Sequence, residues 1–222
     1  ERTVRIVNPT AAGGAHDIIS RVLAAYLGQT LGQQIVVDNR AGGSQKIASE
    51  HVATSRPDGY TFLWGTPATH VYNAIIFNNL TYDPIRDLVP VAMVSEQPMV
   101  MVAHPSLGVR TLADLVALYK ANPGKYSYGS GGHSTVTHLG PEMFKKIAGI
   151  ELIHVPYRGM GPALADFLKG EVTLLMDGQT NHIRLARDGA IVPIAVPARV
   201  RSPFMPGVPT FAEAGLPGVE IV

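Results

Sequence analysis

The start of the chain joins a short apolar strand to an amphipathic helix through a loop with two adjacent glycines, Gly13 and Gly14. Residues 4–7 are mainly β-branched, and residues 15–31 repeat apolar side chains at three- and four-residue spacing. The apolar positions of that helix are Ile18, Val22, Leu23, Tyr26 and Leu27. Glycines let a ligand approach the main chain, and the N–H groups and dipole of a helix start favour an anion. The stretch predicts an anion-binding turn, with an ordinary strand-to-helix turn as the alternative.

The same alternation continues along the chain and predicts an α/β protein with largely parallel strands. Strands are expected at residues 4–7, 34–38, 60–64, 99–103, 126–128, 152–155, 172–176 and 192–196. Helices are expected at residues 15–31, 46–54, 112–121, 135–148, 163–168 and 181–188, with Ser134 as the N-cap of the fourth. Several strands end in polar or glycine-rich loops. Because open α/β sheets bind ligands at the carboxyl ends of their strands, these loops are candidate binding elements.

Composition excludes several classes of protein. Eighteen basic and seventeen acidic residues give a net charge of +1, and no run of Lys and Arg could attract nucleic acid. Without cysteine the chain has no disulfide and no thiol catalysis. No apolar stretch approaches the roughly 20 residues of a membrane span, and the N-terminus lacks the hydrophobic core of a signal peptide. We expect a mature chain from which the signal peptide has been removed.

Motifs of common enzymes are missing from the sequence. It contains no G-x-S-x-G around its loop serines, no H-E-x-x-H and no G-x-x-x-x-G-K-[ST]. The eight histidines show no compact ligand spacing, so no metal site and no cofactor are predicted. Two alternatives stay open: a hydrolase that uses Ser130 with His133 or His138, and an enzyme that binds a phosphate ester through the glycine-rich loops.

Longer segments resemble one protein family in order. They are GGAHD at 13–17, VVDNRAGG at 36–43, ATSRPDGYTFLWGT at 53–66 and TYDPIRDLVPVAMV at 81–94. In the second half they are residues 121–150, residues 154–177 and ARVRSPFMPGVPTFAEAGLPG at 198–218. From about residue 4 to residue 222, the chain resembles the periplasmic solute-binding proteins of tripartite tricarboxylate transporters, the Bug or TctC family.

The resemblance implies a type II periplasmic binding fold, the Venus flytrap, in which each of two lobes is a mixed sheet flanked by helices and a cleft lies between them. Lobe 1 would be residues 1–100, normally completed by a C-terminal segment absent here, and lobe 2 residues 101–222. Such a protein is a monomeric periplasmic receptor and not an enzyme. It passes a small organic carboxylate to the membrane subunits of its transporter. The carboxylate is a dicarboxylate, a tricarboxylate, an amino acid or an aromatic acid.

Carried onto this chain, the resemblance and the loop positions imply a set of ligand-binding residues. The loops of the first lobe supply Gly14, Ala15, His16 and Thr66, and those of the second lobe supply Ser130, Gly132, His133, Ser134, Tyr157, Arg158 and Asp177. Arg158 would pair with a distal carboxylate, or remain an exposed surface arginine. Asp177 would contact a hydroxyl or amino group of the ligand, or support a neighbouring loop.

The first loop departs from the family pattern. Family members carry Pro-Pro-Gly-Gly-Ser-Thr-Asp, whereas residues 11–17 here are Ala-Ala-Gly-Gly-Ala-His-Asp. The change removes both hydroxyls and keeps the main-chain donors. Two interpretations of His16 stay open: its imidazole replaces the lost contact, as a cation if a ligand carboxylate raises its pKa, or it is a solvent-facing residue at the helix start.

Overall fold

The computed structural model describes residues 2–221, and Glu1 and Val222, the outer ends of the expected lobes, lie outside the described residues. The chain divides into two compact units. Unit 1 comprises Glu1–Met93, Gly131–Thr135 and Arg158–Pro162, and unit 2 comprises Val94–Ser130, Val136–Tyr157 and Ala163–Val222. Two short loops from the second part of the chain group with unit 1, and residues 94–100 group with unit 2. The lobe boundary expected at residue 100 stays a prediction.

Unit 1 contains a three-stranded parallel sheet with the order β2-β1-β3. Its strands are β1 (Val4–Asn8), β2 (Ile35–Asn39) and β3 (Thr61–Leu63). The helices are α1 (Ala15–Leu31), α2 (Lys46–Ala53) and α3 (Asn73–Ile76), with a 3₁₀ turn at Gly43–Gln45 and a π turn at Ala68–Tyr72. Since the strands are parallel, the loops that follow them leave from one edge of the sheet.

Helix α1 has the expected bounds, but only part of the predicted apolar stripe lies on its buried face. Ile18, Val22 and Tyr26 are 41%, 66% and 67% exposed. The buried residues of the helix are Ala15, Asp17, Ser20 and Ala24. The buried Asn8 of β1 donates through Nδ2 to Ser20 Oγ at 3.1 Å, and Leu23 packs with Ile19 against Ile6, Ala24 and Trp64.

Unit 2 contains a five-stranded mixed sheet with the order β6-β5-β7-β4-β8. Its strands are β4 (Met99–Ala103), β5 (Ser127–Ser130), β6 (Ile153–Pro156), β7 (Leu174–Gly178) and β8 (Val192–Ala195). Strand β5 runs parallel to β6 and β7, whereas β4 pairs antiparallel with β7 and β8. Packed core residues of this unit include Tyr119, Tyr128, Phe144, Met176 and Phe211.

The remaining helices are α4 (Leu112–Ala121), α5 (Val136–Ala148), α6 (Met160–Leu168) and α7 (His182–Arg187). Helix α4 matches its expected bounds and begins with a capping box between Thr111 and Asp114. The predicted cap at Ser134 is wrong, because α5 begins at Val136 and Ser134 has a left-handed φ of 64°. Among residues 2–221, none of the helices combines the length and the apolar composition needed to cross a bilayer.

Candidate functional site

The loop after β1 is held rigidly by its own side chains. The main-chain N–H and the hydroxyl of Thr10 both donate to Asn8 Oδ1, at 3.0 and 2.9 Å. Asn39, at the end of β2, donates to the carbonyl oxygen of Thr10 at 3.0 Å. The backbone of this loop is therefore positioned before any ligand arrives.

Asp17, in the first turn of α1, has its carboxylate committed to this loop. It accepts from Gly13 N and Asn39 Nδ2 and forms an ion pair with Arg21 at 3.0 Å. Burial alone would raise the pKa of Asp17, but the hydrogen bonds from Arg21, Gly13 and Asn39 outweigh it and lower that pKa. Its negative charge is paired, so it opposes an incoming anion less than a free carboxylate would.

The N-terminus of α1 retains unused donors. Its N-cap is Gly14, which has no side chain to cap the helix. Within residues 2–221, the main-chain N–H groups of Gly14, Ala15 and His16 donate to no protein acceptor. These N–H groups, at the positive end of a 17-residue helix, can bind a carboxylate or another small anion.

The imidazole of His16 is half-buried and forms no hydrogen bond with the part of the chain that the structure describes. Desolvation lowers the pKa of His16 from 6.5 to about 4. The ring is therefore neutral at pH 7 in the unliganded protein. The expected cationic form needs a nearby negative charge that offsets this desolvation.

A second loop of unit 1, Arg158–Pro162, packs backbone against backbone on the first. Ala11 N donates to Arg158 O at 3.1 Å. A β-carbon at Gly159 would lie 2.8 Å from Ala11 N, and one at Gly161 would lie 2.5 Å from Ala12 O. Only glycine permits this approach, so the two glycines help to set the position of the Gly13–Gly14 turn.

The loop after β3 is organised by threonine hydroxyls. Thr66 N donates to Thr69 Oγ1 at 2.9 Å, and Thr69 N donates to Thr66 Oγ1 at 3.3 Å. The Thr66 hydroxyl in turn donates to the side-chain oxygen of Gln45. Gln45 was not singled out from the sequence, because a single glutamine in a loop carries no recognisable spacing signal.

The loop Gly131–Thr135 is also shaped by left-handed residues. Gly132 and Ser134 have φ angles of 117° and 64°, and Thr135 Oγ1 donates to Gly132 O at 2.8 Å. Ser134 is buried, whereas His133 is exposed.

In unit 2, Ser130 lies at the end of β5 and is fully buried. Its hydroxyl is 2.6 Å from His154 Nε2, and the His154 ring stacks on Tyr128 with centroids 4.8 Å apart. The rings of His138 and His154 lie 4.4 Å apart, a grouping of histidines that their spacing along the chain did not predict. The Ser130 hydroxyl is enclosed, and its contact with His154 involves a histidine that the hydrolase alternative did not include.

Tyr157 and Asp177 are the other predicted site residues of unit 2. The Tyr157 hydroxyl donates to Asp166 Oδ2 at 3.1 Å. Burial, and to a smaller extent the hydrogen bond to this carboxylate, raise the pKa of Tyr157. Asp177 is 5% exposed, and burial raises the pKa of its carboxyl despite the opposing effect of His182. The Oδ2 atom of Asp177 has no hydrogen-bond partner in the described part of the chain.

The predicted site residues thus fall into two groups. Unit 1 holds Gly14, Ala15, His16, Thr66, Gly132, His133, Ser134 and Arg158, and unit 2 holds Ser130, Tyr157 and Asp177. Direct contact joins the loop of Gly14 to the loop of Arg158. The Arg158 side chain is exposed and forms no ion pair with residues 2–221. Arg158 contacts the first loop through its carbonyl oxygen, which accepts from Ala11 N.

The chain is similar to known proteins of one family over most of its length. The model of the tripartite tricarboxylate transporter family receptor, TctC, matches residues 19–222. Protein BugT of Bordetella pertussis is 35% identical over 217 residues, which cover 97% of this chain and 67% of that protein.

Two solved structures are similar over nearly the whole chain. Rpa4515 of R. palustris with adipate is 38% identical with a TM-score of 0.95, covering 99% of this chain and 74% of that one. MatC (Rpa3494) of Rhodopseudomonas palustris with bound malate is 31% identical, with a TM-score of 0.93. The match covers 99% of this chain and 75% of the MatC chain. The chain spans 63% to 67% of the length of three curated relatives.

Proposed function

The chain belongs to the tripartite tricarboxylate transporter receptor family, and on that premise we propose that it captures a small organic carboxylate in the periplasm for a membrane transporter of that type. The fold is that of the periplasmic binding proteins in this family. The proposed protein is a receptor that returns its ligand unchanged.

The observation that carries the proposal is the set of unused donors at the start of α1. The N–H groups of Gly14, Ala15 and His16 have no acceptor within residues 2–221, and the nearby carboxylate of Asp17 is already paired. Charge-assisted hydrogen bonds from such N–H groups to a carboxylate are about twice as strong as neutral ones. A carboxylate is therefore the simplest ligand for this turn.

The class of ligand is supported by relatives. Rpa4515 was solved with adipate and MatC with malate, and both molecules are dicarboxylates. We extend that class to this chain on the shared fold and on the donor-rich turn. Monocarboxylates of similar size are then expected to bind more weakly than dicarboxylates.

A ligand screen with the full chain tests the proposal. Thermal unfolding is measured with adipate, malate, citrate, glutamate and benzoate, and with adipamide and malamide as neutral controls. A carboxylate at 100 times its Kd should add about 2.7 kcal/mol of stability, and the amides should add none. Equal shifts with acids and amides would exclude an anion site.

Turnover is measured in the same samples. A receptor leaves every ligand unchanged by NMR over hours, whereas a hydrolase consumes esters of these acids. Detectable ester cleavage that follows the protein through purification would favour the enzyme alternative.

A further inference from the structure

Three residues other than glycine have a left-handed backbone within the described chain: Ser44, Gln45 and Ser134. Ser44 and Gln45 are adjacent and follow Gly42 and Gly43, so four consecutive residues have φ angles of 120°, 56°, 55° and 72°. Such backbone is strained for residues with a β-carbon, persists only where its surroundings impose it and is concentrated at functional sites. The strain at Gln45 therefore calls for a physical reason.

The Gln45 side chain is anchored at one end. The residue is 5% exposed, and its Oε1 accepts the proton of the Thr66 hydroxyl. That hydroxyl also accepts from Thr69 N at 3.3 Å, which leaves its own proton for Oε1.

This hydrogen bond spans the edge of the sheet. Gln45 belongs to the loop after β2, and Thr66 to the loop after β3. Strand β1 lies between β2 and β3, so the bond joins the loops of the two outer strands across the end of the central strand. The loop that leaves that central strand contains Gly13 and Gly14.

The other end of the amide is unused. Gln45 Nε2 donates to no acceptor within residues 2–221. It is also not among the fully enclosed polar atoms that lack a partner, so it reaches solvent although the residue as a whole is buried. A donor held in this way, by a hydrogen bond at its other end and by a strained backbone, is preorganised for a ligand.

We propose that Gln45 is a ligand-binding residue whose Nε2 group donates to an oxygen of the bound carboxylate and so selects acceptor groups over donor groups at that position. This inference rests on the proposed function and extends it to a residue outside the expected set. Thr66 is the positioning residue that holds the amide through Oε1.

The test compares Gln45→Met, which keeps the length of the side chain, with Gln45→Glu, which replaces the donor by a negative charge. The tightest carboxylate from the ligand screen is the probe, and its Kd is measured by calorimetry. We expect Gln45→Met to weaken binding about 10- to 100-fold, because a hydrogen bond to a charged group is lost. Gln45→Glu should weaken it further through repulsion.

Two further variants separate binding from folding. Gln45→Gly relieves the left-handed strain, so it should fold at least as stably as the parent while still binding weakly. Thr66→Val keeps the Nε2 donor but frees the amide to rotate, and a loss smaller than that of Gln45→Met is expected. The matched control is Gln29→Met, at an exposed position 14 residues along α1 from Ala15 and so about 21 Å away, which should leave Kd unchanged.

The outcomes are distinct. Carboxylate binding by the parent with unchanged Kd in Gln45→Met and Gln45→Glu would overturn the role of Gln45 and leave the proposed function standing. Failure of the parent to bind any carboxylate would overturn the proposed function itself, and this inference with it. Weak binding by a Gln45→Gly variant of normal stability would support the inference.

Discussion

The carboxyl end of β1 in unit 1 and the carboxyl end of β7 in unit 2 give a buried carboxylate different surroundings. After β1, main-chain N–H groups lack acceptors, and the buried carboxylate of Asp17 is paired with Arg21. At the end of β7, the Oδ2 atom of the buried Asp177 has no hydrogen-bond partner within residues 2–221.

This difference shows that a strand followed by a polar turn does not define one kind of site. The end of β1 stabilises negative charge, whereas the end of β7 destabilises it, as the raised pKa of Asp177 indicates. The two environments make contrasting predictions for substitutions and for pH.

The largest expected effect comes from Gly161→Ala, which removes the close backbone contact at the β1 end. Alanine is the better helix former, so propensity alone predicts a gain. The new β-carbon would instead lie 2.5 Å from Ala12 O, and we expect a loss of about 2 kcal/mol or more of unfolding free energy. Urea unfolding measures it. The control is Gly207→Ala, where the added carbon would have open space around it, and it should hardly change the unfolding free energy.

His16→Ala tests the desolvated imidazole of the same turn. The folded pKa of about 4 lies below the unfolded value of 6.5, so this group's contribution is intact above pH 6.5 and is lost as the pH falls toward 4. Over that pH range, the parent should lose on the order of 2 kcal/mol of unfolding free energy relative to the variant. A shift of one pKa unit corresponds to about 1.4 kcal/mol, and the effect is smaller than the full shift implies because the half-buried ring keeps some hydration. Parallel stability curves of the two proteins from pH 7 to pH 4 would contradict it.

Asp177→Asn makes the opposite prediction for the β7 end. Burial raises the folded pKa above the unfolded value of 3.8, so the parent loses stability as the pH rises through that window and remains less stable above it. We expect the variant to be more stable than the parent by about 1 kcal/mol at pH 7, with the difference shrinking in acid. Asp188→Asn, at a side chain 60% exposed, is the control and should change stability by less than about 0.5 kcal/mol. A less stable Asp177→Asn at pH 7 would refute the prediction.

Ser134→Gly should change the unfolding free energy least, and it tests whether the backbone of the unit 1 loops is strained. Its φ of 64° suits glycine, so relief of strain should raise the unfolding free energy by about 1 kcal/mol or less. Ser134→Ala removes the hydroxyl without relieving the backbone and should not stabilise. A stabilising Ser134→Ala, measured in the same denaturation series, would show that the hydroxyl and not φ is responsible.

Local patterns predicted most of the elements. Helix α1 at Ala15–Leu31, helix α4 at Leu112–Ala121 and strand β4 at Met99–Ala103 have the bounds expected from the sequence. Capping residues, glycine stops and the spacing of apolar side chains act over a few residues, so they can be recognised without the fold. The Gly13–Gly14 turn was recognised as a donor-rich helix start for the same reason.

Contacts between distant residues could not be predicted in this way. The stripe of Ile18, Val22, Leu23, Tyr26 and Leu27 indicated a buried face, but Ile18, Val22 and Tyr26 are exposed, whereas Leu23 packs against the core. The anchoring of the Gln45 side chain depends on Thr66, which is 21 residues away in the chain. The roles expected of His16, Ser134, Arg158 and Asp177 toward a ligand stay predictions.

The sequence by itself determined the order of strands and helices, the turns that interrupt them and the family to which the chain belongs, because these depend on short-range sterics, hydrogen bonding and recurrent segments. Tertiary structure alone decided that β4 runs antiparallel to β7, that Gly161 must lack a β-carbon and that His16 and Asp177 have shifted pKa values. Strand direction, close approach and desolvation all depend on which distant groups the folded chain brings together, and no local pattern encodes that set.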